Sequence, residues 1–177
     1  LLDNPDALGI VLNYPSQSKE ALTKSKINLN VQSSKAIKSS TPCIGFIGAG
    51  NYASRILIPA FREAGAILDI LVSSGGISGV HHGNKNQFAM ASTKTEDLWK
   101  SDRINTVTIA TRHDAHAQQV VDALESGKNI FVEKPLALTI DELDIIDKAY
   151  HEANISNTVR LMVGFNRRFA PHIVKMQ

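Results

Sequence analysis

The chain has 177 residues, of which 43% are hydrophobic and 20% charged, the composition of one ordinary globular domain. No apolar run approaches the roughly 18 residues of a membrane span, nothing at the start resembles a signal peptide, and we expect no membrane association. The net charge of +2 arises in residues 1–40, so the rest is neutral and we expect no nucleic-acid partner. A single cysteine, Cys43, excludes an internal disulfide, and we expect a cytoplasmic protein.

The first 40 residues differ in character from the rest of the chain. Residues 1–15 are too few to fold alone, and we interpret them as the end of a preceding domain. The chain begins with Leu1 rather than methionine, so we expect a fragment or a processed product. Residues 16–40 are rich in Ser, Lys, Asn and Gln, which predicts a solvated linker, although the alternation of Ile27 and Leu29 leaves a short strand open.

From residue 41 to 165 the sequence alternates between strand and helix patterns. Strands are predicted at 43–47, 67–72, 89–92, 106–110, 129–133 and 161–164. Helices are predicted at 52–64, 81–88, 96–99, 114–126 and 140–153. This alternation predicts an α/β fold, a doubly wound parallel sheet of about six strands in a domain spanning 41–165.

Three local signals refine these helices. Pro59 lacks an amide donor and should bend the first helix. Gly127 is expected just past the end of the fourth helix, and Thr139 with Glu142 forms a capping box at the start of the fifth.

The first predicted strand, 43–47, runs into a Gly-x-Gly-x-x-Ala turn and then a helix. Gly48 would allow the tight turn, Gly50 would let the backbone approach a pyrophosphate, and Ala53 would keep helix and strand close. The phosphates would rest on free N–H groups at the helix N-terminus, which favours negative charge. The turn therefore predicts dinucleotide binding, with Asn51 and Tyr52 among the contacting residues, whereas a purely structural glycine turn is the alternative.

Polar residues follow the other strands at the same edge of the sheet, where ligands bind in doubly wound folds. They are Ser73 and Ser74, Thr111 and His116, Glu133 and Lys134, and Arg167 and Arg168. Lys134 follows a buried strand, and a partly desolvated lysine there could have a lowered pKa suited to proton transfer. The alternative for Lys134 is a surface lysine paired with Glu133. The histidines have no cysteine or carboxylate at metal-ligand spacing, so we expect no metal site.

Three motifs in this order resemble the Gfo/Idh/MocA oxidoreductases, the relatives of glucose–fructose oxidoreductase and inositol dehydrogenase. They are the glycine turn, the Glu133-Lys134-Pro135 triplet, and the run from Val163 to Pro171. The resemblance implies that Lys134 is the catalytic acid/base, and that Thr111 and His116 line the cofactor cleft. Arg112 stands where the family pattern has proline.

The resemblance also implies a second domain, which is missing from this chain, so residues 166–177 are expected to begin the crossover to it. Residues 1–15 resemble the C-terminal end of medium-chain alcohol dehydrogenases, as in two-enzyme fusions. The fragment by itself is expected to be inactive.

The function expected from the resemblance is an NAD- or NADP-dependent oxidoreductase that acts on a secondary alcohol of a sugar or nucleotide sugar. Because no acidic residue follows the second predicted strand, where Ser73 and Ser74 stand, we predict a slight preference for NADP. A non-catalytic dinucleotide sensor or scaffold and a Rossmann-like methyltransferase are the alternatives. The sequence leaves open whether the chain forms a homo-oligomer.

Overall fold

The computed structural model describes residues 24–29, 41–156 and 158–176, which build a seven-stranded sheet with packed helices. The strands are β1 Lys26–Asn28, β2 Cys43–Ile47, β3 Ile67–Val72, β4 Met90–Ser92, β5 Thr106–Ile109, β6 Asn129–Glu133 and β7 Leu161–Gly164. The helices are α1 Ile58–Glu63, α2 Gly76–Asn86, α3 Glu96–Trp99, α4 His116–Glu125, α5 Ile140–Ser156 and α6 Pro171–Val174. A π-helical turn, Ala53–Leu57, precedes α1, and 3₁₀ turns precede α4 (His113–Ala115) and α6 (Asn166–Phe169).

The strand order is β1-β4-β3-β2-β5-β6-β7. All neighbouring strands are parallel except β1, which is antiparallel to β4. The chain winds outward from β2 to β4 on one side and from β5 to β7 on the other, so the order reverses between β2 and β5. This confirms the predicted doubly wound sheet and places a crevice beyond the carboxyl ends of β2 and β5.

Two apolar clusters fill the interior, and successive side chains of β2 alternate between them. Ile44 and Phe46 join the cluster that contains Ile58 of α1, whereas Ile47 joins the cluster that contains Val120 of α4. Alternation of buried side chains on a strand requires apolar cover on both faces of the sheet. The central strands are therefore fixed from both sides, which makes their carboxyl ends a rigid support for a site.

β1 forms inside the predicted linker at 16–40, at the short strand that the alternation of Ile27 and Leu29 left open, and it raises the number of strands to seven. The Leu29 amide donates to the Ala89 carbonyl at 2.8 Å, and the Leu29 side chain lies against α2 where Gly83 has no Cβ. An open strand edge at β4 offers unpaired backbone groups, and these accept the passing chain. Residues 1–15, predicted as the tail of a preceding domain, lie outside the described residues, as do 16–23 and 30–40.

The first helix differs from the continuous helix predicted at 52–64. Ala53–Leu57 is wound as a π-helical turn, in which the Ile58 amide donates to the Ala53 carbonyl, and regular α1 starts at Ile58. Pro59 has no amide hydrogen to give the preceding turn, so that turn loses a bond of the α-helical pattern. The helix is therefore disturbed next to Pro59, but by a wider π-helical turn rather than by the predicted bend.

The remaining predictions agree with the structure to different degrees. Helix α2 begins at Gly76, five residues before the predicted start at 81. Gly127 has φ +66° directly after α4, and the Glu142 amide donates to the Thr139 hydroxyl at 3.2 Å, so both helix-terminus signals are confirmed. Cys43 is fully buried, and burial with the nearby Asp69 carboxylate raises the pKa of its thiol to about 11. It is a packing residue rather than a nucleophile.

Candidate functional site

The glycine turn after β2 has the geometry that a phosphate-binding turn needs. Gly48 has φ +102°, and a Cβ there would collide with the carbonyl oxygen of Ala110 at the end of β5. A Cβ at Gly50 would meet nothing within 4 Å, and Ala53 is buried under the turn. Residue 48 must therefore be glycine because of its backbone conformation and its contact with Ala110. The space beside Gly50, in contrast, is free for a ligand.

The loop after β6 carries the predicted proton-transfer residue. Lys134 follows the last residue of β6 and is exposed, so the expected partial burial of its side chain is not found. The peptide bond between Lys134 and Pro135 is cis. The lysine stands at the mouth of the crevice with its ammonium open to solvent.

These elements surround one cavity of about 390 Å³. Its lining residues are Gly50, Asn51, Tyr52, Ala53, Ala110, Thr111, His113, Glu133, Lys134 and Asn166. Seven of these residues were predicted from the sequence as site residues. Ala110, His113 and Asn166 were missed, although Ala110 ends a predicted strand and the other two lie in the segments that follow predicted strands, which was a usable signal.

Glu133 lies at the floor of this cavity with an unusual environment. Its Oε1 atom is buried and has no hydrogen-bond partner among the described residues. A Cβ added to the neighbouring Gly164 would lie 2.9 Å from that oxygen, so glycine makes room for the carboxyl group. Burial raises the pKa of Glu133, while the Lys134 amide, the Lys134 charge and His116 partly offset this effect. An incompletely satisfied carboxyl group is a candidate contact for a bound ligand.

His116 does not line the cavity, which corrects the prediction for this residue. Its side chain is completely buried at the start of α4. Nδ1 lies 2.7 Å from the carbonyl oxygen of Pro135, and Nε2 lies 3.4 Å from the carbonyl oxygen of Thr111. A buried imidazole needs a polar partner for its N–H group, and here the nearer carbonyl, that of Pro135, accepts it instead of a cofactor.

The segment after β7 reaches the cavity through Asn166 rather than through its arginines. The Asn166 side-chain amide donates to the Tyr52 hydroxyl at 3.1 Å. Arg167 and Arg168 are exposed and absent from the cavity lining, and the Arg168 guanidinium lies 4.9 Å from the centre of the Phe169 ring. Arg167 and Arg168 therefore lie next to the cavity but do not line it.

Ser73 and Ser74 follow β3, the strand beside the glycine turn. The hydroxyls of Ser73 and Ser78 are 3.2 Å apart, and the Ser78 hydroxyl donates to the Gly75 carbonyl at 2.7 Å. The N-terminus of α2 begins at the same place. Lys85 lies in the last turn of α2, about 14 Å from its N-terminus along the helix axis, which is too far to contact a ligand held at Ser73 and Ser74.

Two absences hold for the described residues. No group of three or more His, Cys, Asp or Glu side chains is arranged to hold a metal ion in this part of the chain. None of its helices has the length and apolarity needed to cross a membrane.

Residues 43–165 match the model of the Gfo/Idh/MocA family, which is described as an oxidoreductase family with an NAD-binding Rossmann fold. Oxidoreductase P35 of Formosa agariphila is 33% identical over 134 residues, which cover 75% of this chain and 40% of that protein. An inositol 2-dehydrogenase/D-chiro-inositol 3-dehydrogenase of Lactiplantibacillus plantarum is 32% identical over 138 residues, covering 76% and 37%.

Among solved structures, an oxidoreductase domain protein from Kribbella flavida superimposes with a TM-score of 0.67 at 28% identity, covering 72% of this chain and 35% of that one. The chain therefore spans less than half the length of the relatives that it matches. The resemblance of residues 1–15 to an alcohol dehydrogenase is not borne out by these comparisons.

Proposed function

The chain belongs to the Gfo/Idh/MocA family of oxidoreductases, and on that premise we propose that its cleft binds NAD or NADP for hydride transfer to or from a secondary alcohol. One observation carries the proposal. The glycine turn after β2 and Lys134 after β6 line the same cavity of about 390 Å³, at the point where the strand order reverses. A phosphate-binding turn and a proton-transfer group are therefore within one cleft.

The residues of the turn fit a dinucleotide. The open space beside Gly50 is the room that a pyrophosphate requires, and a side chain there would fill it. The helical segment begins at this turn, where the Ser54 amide donates to the Gly50 carbonyl at 2.8 Å, and its dipole favours a negative charge at this end. When bound, the nicotinamide supplies the chemistry of accepting or giving a hydride.

Lys134 is the residue that handles the proton. It takes up the proton of the alcohol hydroxyl in the oxidative direction and returns it in the reductive direction. This role needs a closed cleft that excludes water, because the Lys134 side chain is exposed here.

The substrate class is a sugar or a related polyol. The Lactiplantibacillus plantarum relative acts on inositols, which present rings of secondary hydroxyls, and this supports a carbohydrate. Arg167 and Arg168 are exposed cations beside the cleft and would suit an anionic group, such as the diphosphate of a nucleotide sugar.

The cofactor preference is a slight one for NADP. Ser73, Ser74 and Ser78 place three hydroxyls at the N-terminus of α2, and no acidic residue lies between 73 and 78 to repel a 2′-phosphate. No arginine stands in that stretch, so the expected preference is small.

Isothermal titration calorimetry of the chain with NADPH, NADH and S-adenosylmethionine tests the proposal. We expect binding of both dinucleotides, with NADPH favoured by less than about tenfold, and no binding of S-adenosylmethionine. Binding of S-adenosylmethionine alone would contradict the proposal, and a tenfold preference for NADH would contradict the cofactor assignment.

A further inference from the structure

His116 stands between the two loops that carry the cleft residues Thr111 and Lys134, and it touches the backbone of both. The loop after β5 contributes Thr111 and His113 to the cavity wall, and the loop after β6 contributes Lys134. His116 is completely buried behind them, with its two ring nitrogens 2.7 Å and 3.4 Å from the carbonyl oxygens of Pro135 and Thr111. The Pro135 carbonyl accepts the N–H of Nδ1, so the start of α4 is bonded to the loop after β6.

The shorter of the two contacts acts next to the proposed proton-transfer residue. Pro135 directly follows Lys134, so the bond from Nδ1 to the Pro135 carbonyl fixes the backbone on one side of the lysine. Glu133, at the end of β6, fixes the other side through the pairing of β6 with β7. The direction in which Lys134 leaves the backbone is therefore set by a strand on one side and by His116 on the other.

The loop after β5 is also held in place by side-chain contacts. The Thr111 hydroxyl donates to the Gln119 side-chain oxygen of α4 at 2.7 Å, and the His113 ring packs edge-to-face on the His116 ring with centres 5.7 Å apart. The loop after β5 is thus attached to α4, and α4 is attached through His116 to the loop after β6. Such buried partners commonly set the orientation of the residues that face a ligand.

We propose that His116 is a positioning residue that sets the spacing of the two loops around the nicotinamide half of the cofactor, without touching the cofactor itself. The inference rests on the proposed dinucleotide function. The pyrophosphate half of the site lies at Gly50 and the residues after it, and neither ring nitrogen of His116 bonds there. The two halves of the ligand should therefore respond differently to a change at residue 116.

The test compares binding of NADPH with binding of 2′-phospho-ADP-ribose, which is the same ligand without the nicotinamide. Two variants differ in the contact that they keep: His116→Asn places an amide nitrogen near the position of Nδ1, and His116→Gln places one near that of Nε2. Both are measured by calorimetry, and circular dichroism melting confirms that each is folded at the assay temperature.

We expect His116→Asn to keep the ratio of the two affinities and His116→Gln to lower it by about fivefold, the factor expected for one lost hydrogen bond. Affinity for 2′-phospho-ADP-ribose should stay within twofold of the original in both variants. A ratio unchanged in His116→Gln, or equal losses for both ligands, would overturn the inference. An original chain that binds both ligands equally would also overturn it but leave dinucleotide binding intact. A chain that binds neither ligand would overturn the proposed function itself.

Discussion

The side-chain amide of Asn166 donates a 3.1 Å hydrogen bond to the hydroxyl of Tyr52, across 114 positions of sequence. Tyr52 follows the glycine turn after β2, and Asn166 begins the 3₁₀ turn after β7. The bond therefore joins the glycine-turn end of the cleft to the strand at one edge of the sheet, and both residues line the cavity.

This bond gives the first prediction. Tyr52→Phe keeps the ring and removes the acceptor, so Asn166 loses its anchor and we expect NADPH affinity to fall by about threefold, in the range of one exposed hydrogen bond. The melting temperature should change little, because both residues are exposed. Tyr150→Phe in α5, outside the cavity lining, is the matched control. Unchanged affinity in Tyr52→Phe would show that the bond does not shape the site.

Substitutions at the two glycines of the turn should have different effects, one on binding and one on stability. Gly50→Val should abolish dinucleotide binding and leave the fold intact, since its Cβ would enter the open space of the cleft. Gly48→Ala should lower stability by about 1–3 kcal/mol, because the residue has φ +102° and its Cβ would collide with the Ala110 carbonyl. Urea denaturation and calorimetry separate the two outcomes. A Gly50→Val chain that binds cofactor normally would show that the turn is structural only.

The buried carboxyl group of Glu133 should make stability depend on pH. Burial raises its pKa above 4.5 in the folded chain, so between pH 4.5 and the raised value the folded state holds a proton that the unfolded state has lost. The contribution of this group to the free energy of unfolding therefore falls as pH rises through that window. Below pH 4.5 the carboxyl group is protonated in both states, so it causes no loss of stability there. In Glu133→Gln we expect no such decrease in the free energy of unfolding.

Urea denaturation of the original chain and of Glu133→Gln from pH 4 to pH 8 measures the effect. The difference in unfolding free energy should shift in favour of the variant as pH rises. Glu125→Gln, at an exposed position in the last turn of α4, is the control and should run parallel to the original chain. A difference between Glu133→Gln and the original that is constant with pH would contradict the prediction.

The thiol of Cys43 should be inert in the folded chain. It is fully buried in β2, and its pKa is raised to about 11, so very little thiolate exists at pH 8. We expect Ellman's reagent to label the native chain at least about 100-fold more slowly than the chain in urea. Labelling at the rate of a free thiol would mean that the sheet opens readily around the central strand β2.

The last prediction concerns turnover by the 177-residue chain. Lys134 is exposed and the cleft around it is open, so the orientation and exclusion of water that lower a barrier by several kcal/mol are missing. We expect NADPH to bind but no change in nicotinamide absorbance when sugars, inositols or nucleotide sugars are added with NAD or NADP. Robust turnover would show that these residues contain a complete active site.

The sequence by itself determined six of the seven strands and the edge of the sheet at which the candidate site lies. Apolar runs such as Ile130–Val132 and helical periodicity such as that of Val120 and Leu124 report burial directly, and both are local properties of the chain. The Gly-x-Gly-x-x-Ala turn and Lys134 stand directly after strands, and parallel strands bring their carboxyl ends to one edge. Strand bounds at 129–133 and 161–164, and helix bounds at 96–99, therefore agree with the structure.

The tertiary structure alone decided the features that depend on distant partners. β1 exists because the open edge of β4 pairs with it, and its own side chains are mostly polar and exposed. His116 has the polarity of a ligand contact, yet the Pro135 carbonyl accepts its N–H inside the fold. Asn166 reaches the cleft because β7 ends opposite Tyr52. A local pattern shows which side chains are polar, but only the packed chain shows whether solvent, a ligand or another part of the protein satisfies them.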